Sequence, residues 1–285
     1  MRPRAIKDLS QLPDPDFFAS VAEGMSLVVQ NAGRLYASAA TLNESKHFHG
    51  SSVLKYQAEE EASKFLILLD AVRCPRNPSD RFCGQLGRFN NHLAKGLYAR
   101  AYGARPETLE RLQIYLDTFR EELYLDGPNG IDWIFRNEIC QGREGELYVD
   151  YMSTDEGHFW HDPGIAYKVE SAEVLQWIIE PKALQVARSL FDIGIAQKDA
   201  LILVADIWRS VSIKPETPSH EIRELNQQTL KKLDSTGILR KQPAHIYGSI
   251  IDDWQFPLYD LDLKLIPVDI NTLRERQDSW NPDYY

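Results

Sequence analysis

The chain has 285 residues, which is enough for one large domain or two small ones, each able to bury a core without disulfide bridges. Its 42 acidic and 32 basic residues give a formal net charge of −10, which opposes non-specific binding to long nucleic acids and confines any such contact to a local basic cluster. The three cysteines suit neither a disulfide framework nor paired zinc ligands, and the chain lacks both a signal-peptide pattern and a membrane-span pattern, so we expect a cytoplasmic protein without membrane contact.

The first half of the chain shows helical periodicity broken by short turns. Apolar residues such as Phe17, Val21 and Met25 recur at three- and four-residue steps, as they do on the core face of a helix. Asn77 and Pro78 mark a helix start, and a Gly-Pro-Asn-Gly run after residue 126 marks a turn. The pattern predicts helices over residues 14–46, 51–72, 78–102 and 106–125.

The second half begins with less regular sequence and then returns to helical patterns. We expect an irregular connector over residues 131–163. Helices are predicted over residues 172–193, with a kink or break at Pro181, and over residues 199–210 and 219–234. Ile246–Trp254 and Leu258–Ile266 are rich in β-formers around Pro257, which predicts a short hairpin or an extended arm.

An acidic pair and a lysine on the second predicted helix form the first candidate polar cluster. Glu60 and Glu61 precede Lys64 by four and three residues, the order that favours ion pairing along a helix. One interpretation is an ordinary ion pair at or near the surface. The very apolar sequence just downstream favours another, in which this charged turn borders the bundle interior and belongs to a polar network.

The third predicted helix carries Arg88, His92 and Lys95 at steps of four and three residues, so the three side chains would share one face. Two flanking cations would favour the neutral imidazole, which can act as a general base at neutral pH. Lysine and arginine could then stabilise a phosphorane-like transition state. The alternative is a histidine that bridges a structural polar network.

Two further features have a structural and a functional interpretation. Asp155, His158, His161 and Asp162 are residue types that bind divalent metals, but a packed aromatic loop is the simpler interpretation. We therefore predict no metal and no cofactor. The acidic, aromatic tail after residue 251 is either a surface segment or a docking arm for a second subunit.

Three ordered motifs resemble the AbiV-type abortive-infection family of HEPN-domain proteins. They are the Asn31-Ala32-x-x-Leu35 segment with the Glu-Glu-x-x-Lys sequence that ends at Lys64, the Phe89-x-x-His92-x-x-Lys95 segment, and the strip from Arg143 to Asp150 that contains Leu-Tyr-Val-Asp. Together they span about residues 17–162. The resemblance implies a mainly α fold, a HEPN-like helical bundle with further C-terminal helices and a short β or extended tail.

The resemblance divides the chain into three parts and implies a role. Residues 14–165 would be the HEPN/AbiV-like domain, residues 166–240 additional helices, and residues 241–285 an extended or β-hairpin tail. The implied protein is a homodimeric antiphage effector that acts on RNA, either by metal-independent cleavage or by binding. The implied site comprises Glu61, Lys64, Arg88, His92, Lys95, Arg143 and Tyr148.

The Arg/His spacing departs from the broader HEPN pattern. Nuclease members carry R-x(4–6)-H, whereas three residues separate Arg88 from His92, and Tyr148 follows Arg143 where a histidine is expected. Either His92 meets Arg143 in space to complete a composite site, or the protein binds RNA without cutting it. A third interpretation is a non-catalytic protein whose partner is a phage protein or a component of host translation.

Overall fold

The computed structural model describes residues 5–121, 123–125, 134–154, 157–164, 179–269, 271–272 and 275. Within these residues the α-helices are α1 (Asp14–Glu44), α2 (Phe48–Arg73), α3 (Ser79–Gly87), α4 (His92–Gly103), α5 (Leu109–Asp117), α6 (Glu138–Leu147), α7 (Lys182–Asp192), α8 (Lys198–Trp208), α9 (Ser219–Ser235) and α10 (Ala244–Asp253). Short 3-10 helices cover Ile6–Gln11 and Arg88–Asn90. The mainly α fold predicted from the sequence is confirmed.

Two small antiparallel hairpins complete the regular structure. Strand β1 (Leu123–Leu125) pairs with β2 (Ile134–Arg136), and β3 (Asp150–Thr154) pairs with β4 (Gly157–His161). In the second hairpin Tyr151 lies opposite Trp160. The region predicted as an irregular connector therefore contains strand β2, helix α6 and this second hairpin.

Helices α1 and α2 form an antiparallel pair. A tight turn joins them, in which Lys46 has a positive φ of 62° and the His47 amide donates to the Leu42 carbonyl at 2.8 Å. Gly50 faces Leu42 near the turn and Gly24 faces Leu68 far from it, which is the register of two helices running in opposite directions. Close approach at these glycines lets the two helices pack along their length.

Helix α2 is the central element of the bundle. All residues from Phe65 to Cys74 are buried, so this half of the helix has no solvent face. It packs against α1, α3, α4, α6, α7 and α8. A helix that is apolar on every side must be surrounded by other elements, and the sequence from Phe65 to Leu69 meets that condition. The buried residues of α7 and α8 belong to the same hydrophobic core as those of α1 and α2.

The third predicted helix is divided in two, so the prediction of one continuous helix is wrong. Arg88–Asn90 forms a 3-10 turn after α3, and Asn91 is extended. The Asn91 side chain then accepts a hydrogen bond from the Ala94 amide at 3.0 Å, which caps α4. Since Arg88 precedes this break, it does not share a helix face with His92 and Lys95.

The C-terminal segment also differs from its prediction. Ile246–Trp254, predicted as extended, lies mainly in helix α10, because Ile246, Ile250 and Trp254 recur at four-residue steps that suit packing on the core. Tertiary packing here outweighs the β-propensity of the branched residues. The other proposed strand, Leu258–Ile266, contains a turn at Tyr259 and Asp260, and its strand-type pairing in the described residues is a single bridge between Ile266 and Glu121.

Residues 255–266, called the strap below, are fixed by a buried polar network. Arg73 and Asp70 form an ion pair that is fully shielded from solvent. Arg73 also donates to the Gln255 carbonyl at 3.0 Å, and Asp70 accepts from the Leu258 amide at 2.8 Å. These hydrogen bonds therefore link α2 to the strap.

Helix α7 begins directly after Pro181, whose extended backbone precedes the first turn. The helix predicted from residue 172 thus has a boundary at this proline, and residues 172–178 lie outside the described ones. The proposed division of the chain near residues 165–200 stays a prediction. In the part of the chain that is described, every helix is too short or too polar to cross a membrane.

We expect Gly96→Ala to destabilise the bundle. A Cβ at this position of α4 would overlap Cγ2 of Ile139 and lie 3.3 Å from its Cδ1, so α6 would have to move away. Overpacking of this kind costs about 1–3 kcal/mol, which a fall in Tm measured by calorimetry would report.

Gly84→Ala is the matched control, since a Cβ there meets nothing within 4 Å, and the better helix propensity of alanine should leave Tm unchanged or slightly raised. The Gly96→Ala, Ile139→Ala double variant should be less destabilised than the sum of its single variants. A Gly96→Ala protein as stable as the parent would contradict the close packing of α4 on α6.

Candidate functional site

Helices α2 and α4 bring together Glu60, His92 and Lys95, called the Glu60 cluster below. Nδ1 of His92 lies 2.9 Å from Oε1 and 3.1 Å from Oε2 of Glu60. Nζ of Lys95 donates to Oε2 of Glu60 at 2.6 Å. One carboxylate therefore binds an imidazole and an ammonium group from successive turns of the neighbouring helix.

The three side chains differ in exposure. The side chains of Glu60 and Lys95 are 8% and 5% exposed, whereas that of His92 is 45% exposed. His92 is the first residue of α4, which explains why its ring reaches solvent while its inner nitrogen contacts the buried carboxylate. The cluster is thus a buried ion pair with an accessible imidazole at its edge.

The contacts define the tautomer that the cluster favours. A carboxylate only accepts hydrogen bonds, so Nδ1 of His92 donates to Glu60 and Nε2 keeps its lone pair in the neutral ring. Lys95 Nζ also lies 3.2 Å from this Nδ1, but its shorter bond to Glu60 uses the carboxylate as acceptor. A neutral imidazole oriented in this way can accept a proton at Nε2.

The pKa values of Glu60 and Lys95 both lie below their ordinary values, for different reasons. Burial alone would raise the pKa of Glu60, but hydrogen bonds from Lys95 and His92 and their charges bring it below its ordinary value. Burial lowers the pKa of Lys95, and the bond to Glu60 opposes that fall only in part. Glu60 is therefore held as a carboxylate to which both partners can donate.

A groove of about 790 Å³ runs beside the cluster, between α2, α4, Ile139 of α6 and the segment that leads into α7. Glu60 and Lys95 line it, and His92 contacts both of them. The described part of its lining carries four cations and three carboxylates: Lys55, Lys95, Arg100, Lys182, Glu59, Glu60 and Glu180. The local charge balance of the groove is therefore more positive than that of the whole chain.

Glu61 and Lys64 form a second ion pair next to the cluster. Both side chains are partly exposed, and Nζ of Lys64 also lies 5.3 Å above the ring of Phe89. Lys64 and Glu61 both act electrostatically on Lys95, which places this pair within range of the cluster. Of the predicted site residues, His92 and Lys95 are joined through Glu60, and Glu61 and Lys64 form a separate ion pair that acts on Lys95 electrostatically.

Arg88 lies apart from this group and contacts the strap. Its guanidinium donates to the carbonyls of Leu258 at 2.7 Å and Leu261 at 2.6 Å, and to the Gln85 side chain at 2.9 Å. The expectation that His92 stands between two cations is therefore corrected. A carboxylate, Glu60, and one cation, Lys95, flank its ring instead.

The other two predicted site residues lie on or beyond α6. Arg143 is within the helix, and its side chain is outside the described part of the structure. Tyr148 follows the helix with 61% of its surface exposed, and no hydrogen bond between described residues joins it to the Glu60 cluster. The predicted meeting of Arg143 with His92 stays a prediction.

The sequence interpretation placed Glu60 in the first candidate polar cluster, but it included Glu61 and not Glu60 among the predicted site residues. A signal for it was present, because Glu60 lies on the same helix face as the apolar residues that pack into the bundle. A carboxylate on a core face needs a buried cation or several donors. Lys95, predicted on the facing helix, supplies the cation.

One histidine of the second hairpin, His158, packs on an aromatic ring. His158 stacks on Tyr151 with ring centroids 5.6 Å apart, and Trp160 lies 4.9 Å from the same ring. Among the described residues, His, Cys, Asp and Glu side chains do not form a group of three that could hold a metal ion. Asp155 lies outside the described residues.

The helical fold described above is the fold class expected of a HEPN-domain protein. The family model described as AbiV matches residues 20–177, more than half of the chain. The chain belongs to the AbiV family of HEPN proteins. No curated protein and no solved structure matches it significantly.

We expect Glu60→Gln to destabilise the protein in a pH-dependent way. Because the pKa of Glu60 is lower in the folded state than its ordinary value of 4.5, its charge stabilises the fold above that value, and this contribution is lost as the pH falls through the folded pKa. Removing the charge leaves Lys95 buried and unpaired, at a cost of about 3–5 kcal/mol near neutral pH.

Thermal unfolding across the pH range would measure this effect. The Tm difference between the parent and Glu60→Gln should be about 5–10 °C at pH 7 and should shrink below pH 4.5. Glu23→Gln, an exposed change on α1, should shift Tm by less than about 1 °C. A Tm difference that stays the same at pH 4 and pH 7 would show that the charge of Glu60 does not stabilise the fold.

Proposed function

We propose that this protein is an abortive-infection effector that cleaves RNA without a metal ion, with His92 as the general base. The observation that carries the proposal is the Glu60 cluster beside its groove. Glu60 orients the imidazole through Nδ1, and the exposed ring leaves Nε2 available to substrate. A carboxylate, a histidine and nearby cations are the groups that 2′-hydroxyl attack on a phosphodiester requires.

In the proposed reaction, Nε2 of His92 removes the proton of a ribose 2′-hydroxyl. The 2′-oxygen attacks the adjacent phosphorus, the bond to the 5′-oxygen breaks, and a 2′,3′-cyclic phosphate forms. Glu60 keeps its negative charge throughout and stabilises the imidazolium that results, as a carboxylate partner of histidine does. Lys64 and Lys95 add positive potential where the phosphorane carries charge.

The local charge of the groove supports a nucleic-acid ligand despite the net charge of −10. Cations outnumber carboxylates among the residues that line it, and Arg100 and Lys182 have partly exposed side chains. Acidic surfaces elsewhere would weaken binding to long duplexes while leaving a short contact possible. We propose that the ligand is a short or structured RNA, and that the protein acts as a homodimer, as the wider family implies.

His92→Ala should abolish cleavage of tRNA or another structured RNA. The expected loss is at least about 100-fold, since the base would be missing, and Arg143→Ala should reduce cleavage in the same assay. The assay follows end-labelled RNA in the presence of a chelator, so that only metal-independent cleavage is recorded.

His220→Ala is the matched control, because His220 is exposed at the start of α9 and far along the chain from the cluster. It should cleave like the parent. RNA that stays intact with the parent protein, both with chelator and with added divalent metal, would refute the proposal. So would cleavage that survives in His92→Ala.

A second candidate function is favoured by the exposed face of the second hairpin. Val149, Tyr151 and Trp160 are 58%, 55% and 67% exposed, and Tyr151 and Trp160 lie side by side on the paired strands. Large exposed apolar side chains that adjoin one another are typical of protein-binding surfaces. On this proposal the protein binds a phage protein or a component of host translation without catalysis.

Phage challenge of a host that carries the gene separates the two functions. If binding alone protects, His92→Ala should keep resistance and Trp160→Ser should lose it. Leu27→Ser, which changes an equally exposed apolar residue on α1, should keep resistance. Loss of resistance in His92→Ala, with the protein present at its normal level, would reject the binding function.

A further inference from the structure

The carboxyl group of Glu59 lies in the groove next to the Glu60 cluster and is not used in the contacts described above. Glu59 immediately precedes Glu60 in α2, and both line the same groove with Lys95. Its side chain is partly buried, yet it makes no hydrogen bond or ion pair with any other described residue. Partly buried carboxyls usually have such partners, so a carboxyl in a groove that no described residue binds is available to a ligand.

Glu59 and Glu60 have opposite electrostatic environments. Burial raises the pKa of Glu59, the charges of Arg100 and Lys55 oppose the rise only in part, and the carboxylate of Glu60 adds to it. The pKa of Glu60, in contrast, is lowered by the two donors that bind it. Two neighbouring carboxyls, one kept charged and the other shifted towards its neutral form, are the arrangement that enzymes use to separate base and acid roles.

We propose that Glu59 is the general acid that protonates the leaving 5′-oxygen. This inference rests on the proposed ribonuclease function and adds the second proton-transfer group that the reaction needs. Lys55 and Arg100, the two cations whose charges act on Glu59, would hold the phosphate beside it. Arg100 is paired with Glu138 at 2.8 Å, and both side chains are exposed enough for a phosphate to replace that contact.

The two proton transfers balance. His92 takes the proton of the 2′-hydroxyl as the bond from the 2′-oxygen to phosphorus forms. The bond from phosphorus to the 5′-oxygen breaks, and that oxygen takes the proton of the Glu59 carboxyl. The products are a 2′,3′-cyclic phosphate and a 5′-hydroxyl, and the enzyme is left with an imidazolium at His92 and a carboxylate at Glu59, which exchange protons with solvent.

Glu59→Gln tests the assignment with two matched RNA oligonucleotides. One has the ordinary 5′-oxygen at the cleavage position and the other has sulfur in its place. A thiolate leaves without a proton, because a thiol has a pKa of about 8.5, far below the pKa of an alcohol hydroxyl. Removing a general acid should therefore slow cleavage of the first substrate alone.

We expect Glu59→Gln to cleave the ordinary substrate about 100-fold or more slowly, and the sulfur substrate within about threefold of the parent rate. His92→Ala should lose activity on both substrates, because the base is needed in each case. Glu224→Gln, an exposed change on α9, should resemble the parent on both. A thermal melt of each variant checks that it is folded.

The possible failures are distinct. A Glu59→Gln protein that is as fast as the parent on the ordinary substrate overturns the role of Glu59 and leaves the ribonuclease function intact. Equal slowing on both substrates also overturns it, since the side chain would then act in binding or folding. A parent protein that cleaves neither substrate overturns the proposed function, and the role of Glu59 with it.

Discussion

The buried ion pair between Arg73 and Asp70 is the interaction on which the architecture depends. Its two side chains are shielded from solvent, and the guanidinium lies over the adjacent rings of Trp208 and Trp254, 4.6 and 5.3 Å from their centroids. Burial alone would lower the pKa of Arg73, but Asp70 raises it above its ordinary value. Removing either partner would leave a buried, unpaired charge. The pair therefore has to stay enclosed, and this requirement keeps Trp208 of α8, Trp254 after α10 and the strap packed against α2.

This constraint has a consequence for the site, because Asp70 and Glu60 lie on the same helix. They are ten positions apart, a distance of about 15 Å along the helix axis. The Asp70 end is enclosed by α8, α10 and the strap, so α2 is fixed at that end in position and rotation. Glu60 then faces α4 at the other end, where α4 begins at His92 and carries Lys95 one turn further on.

The sequence predicted much of this fold, and the failures have physical causes. Periodicity located α1 and α2 because their apolar faces are long and regular. It joined α3 to α4 because the break depends on the side-chain cap at Asn91 and on bonds from Arg88 to the strap, which are distant in sequence. His92 and Lys95 were chosen from local spacing, whereas Glu60 acquires its meaning only when a second helix places donors against it.

The two charged networks on α2 suggest different reasons for keeping charges inside a helical bundle. The pair at Asp70 is closed, and its bonds end on backbone groups of the strap. The pair at Glu60 is open on one side, since His92 remains 45% exposed and a groove lies next to the carboxylate. Burying a carboxylate and an ammonium carries a desolvation cost that an apolar pair would avoid. An apolar pair could not orient an imidazole, and that orientation is the property that distinguishes the Glu60 cluster from an interaction that serves stability alone.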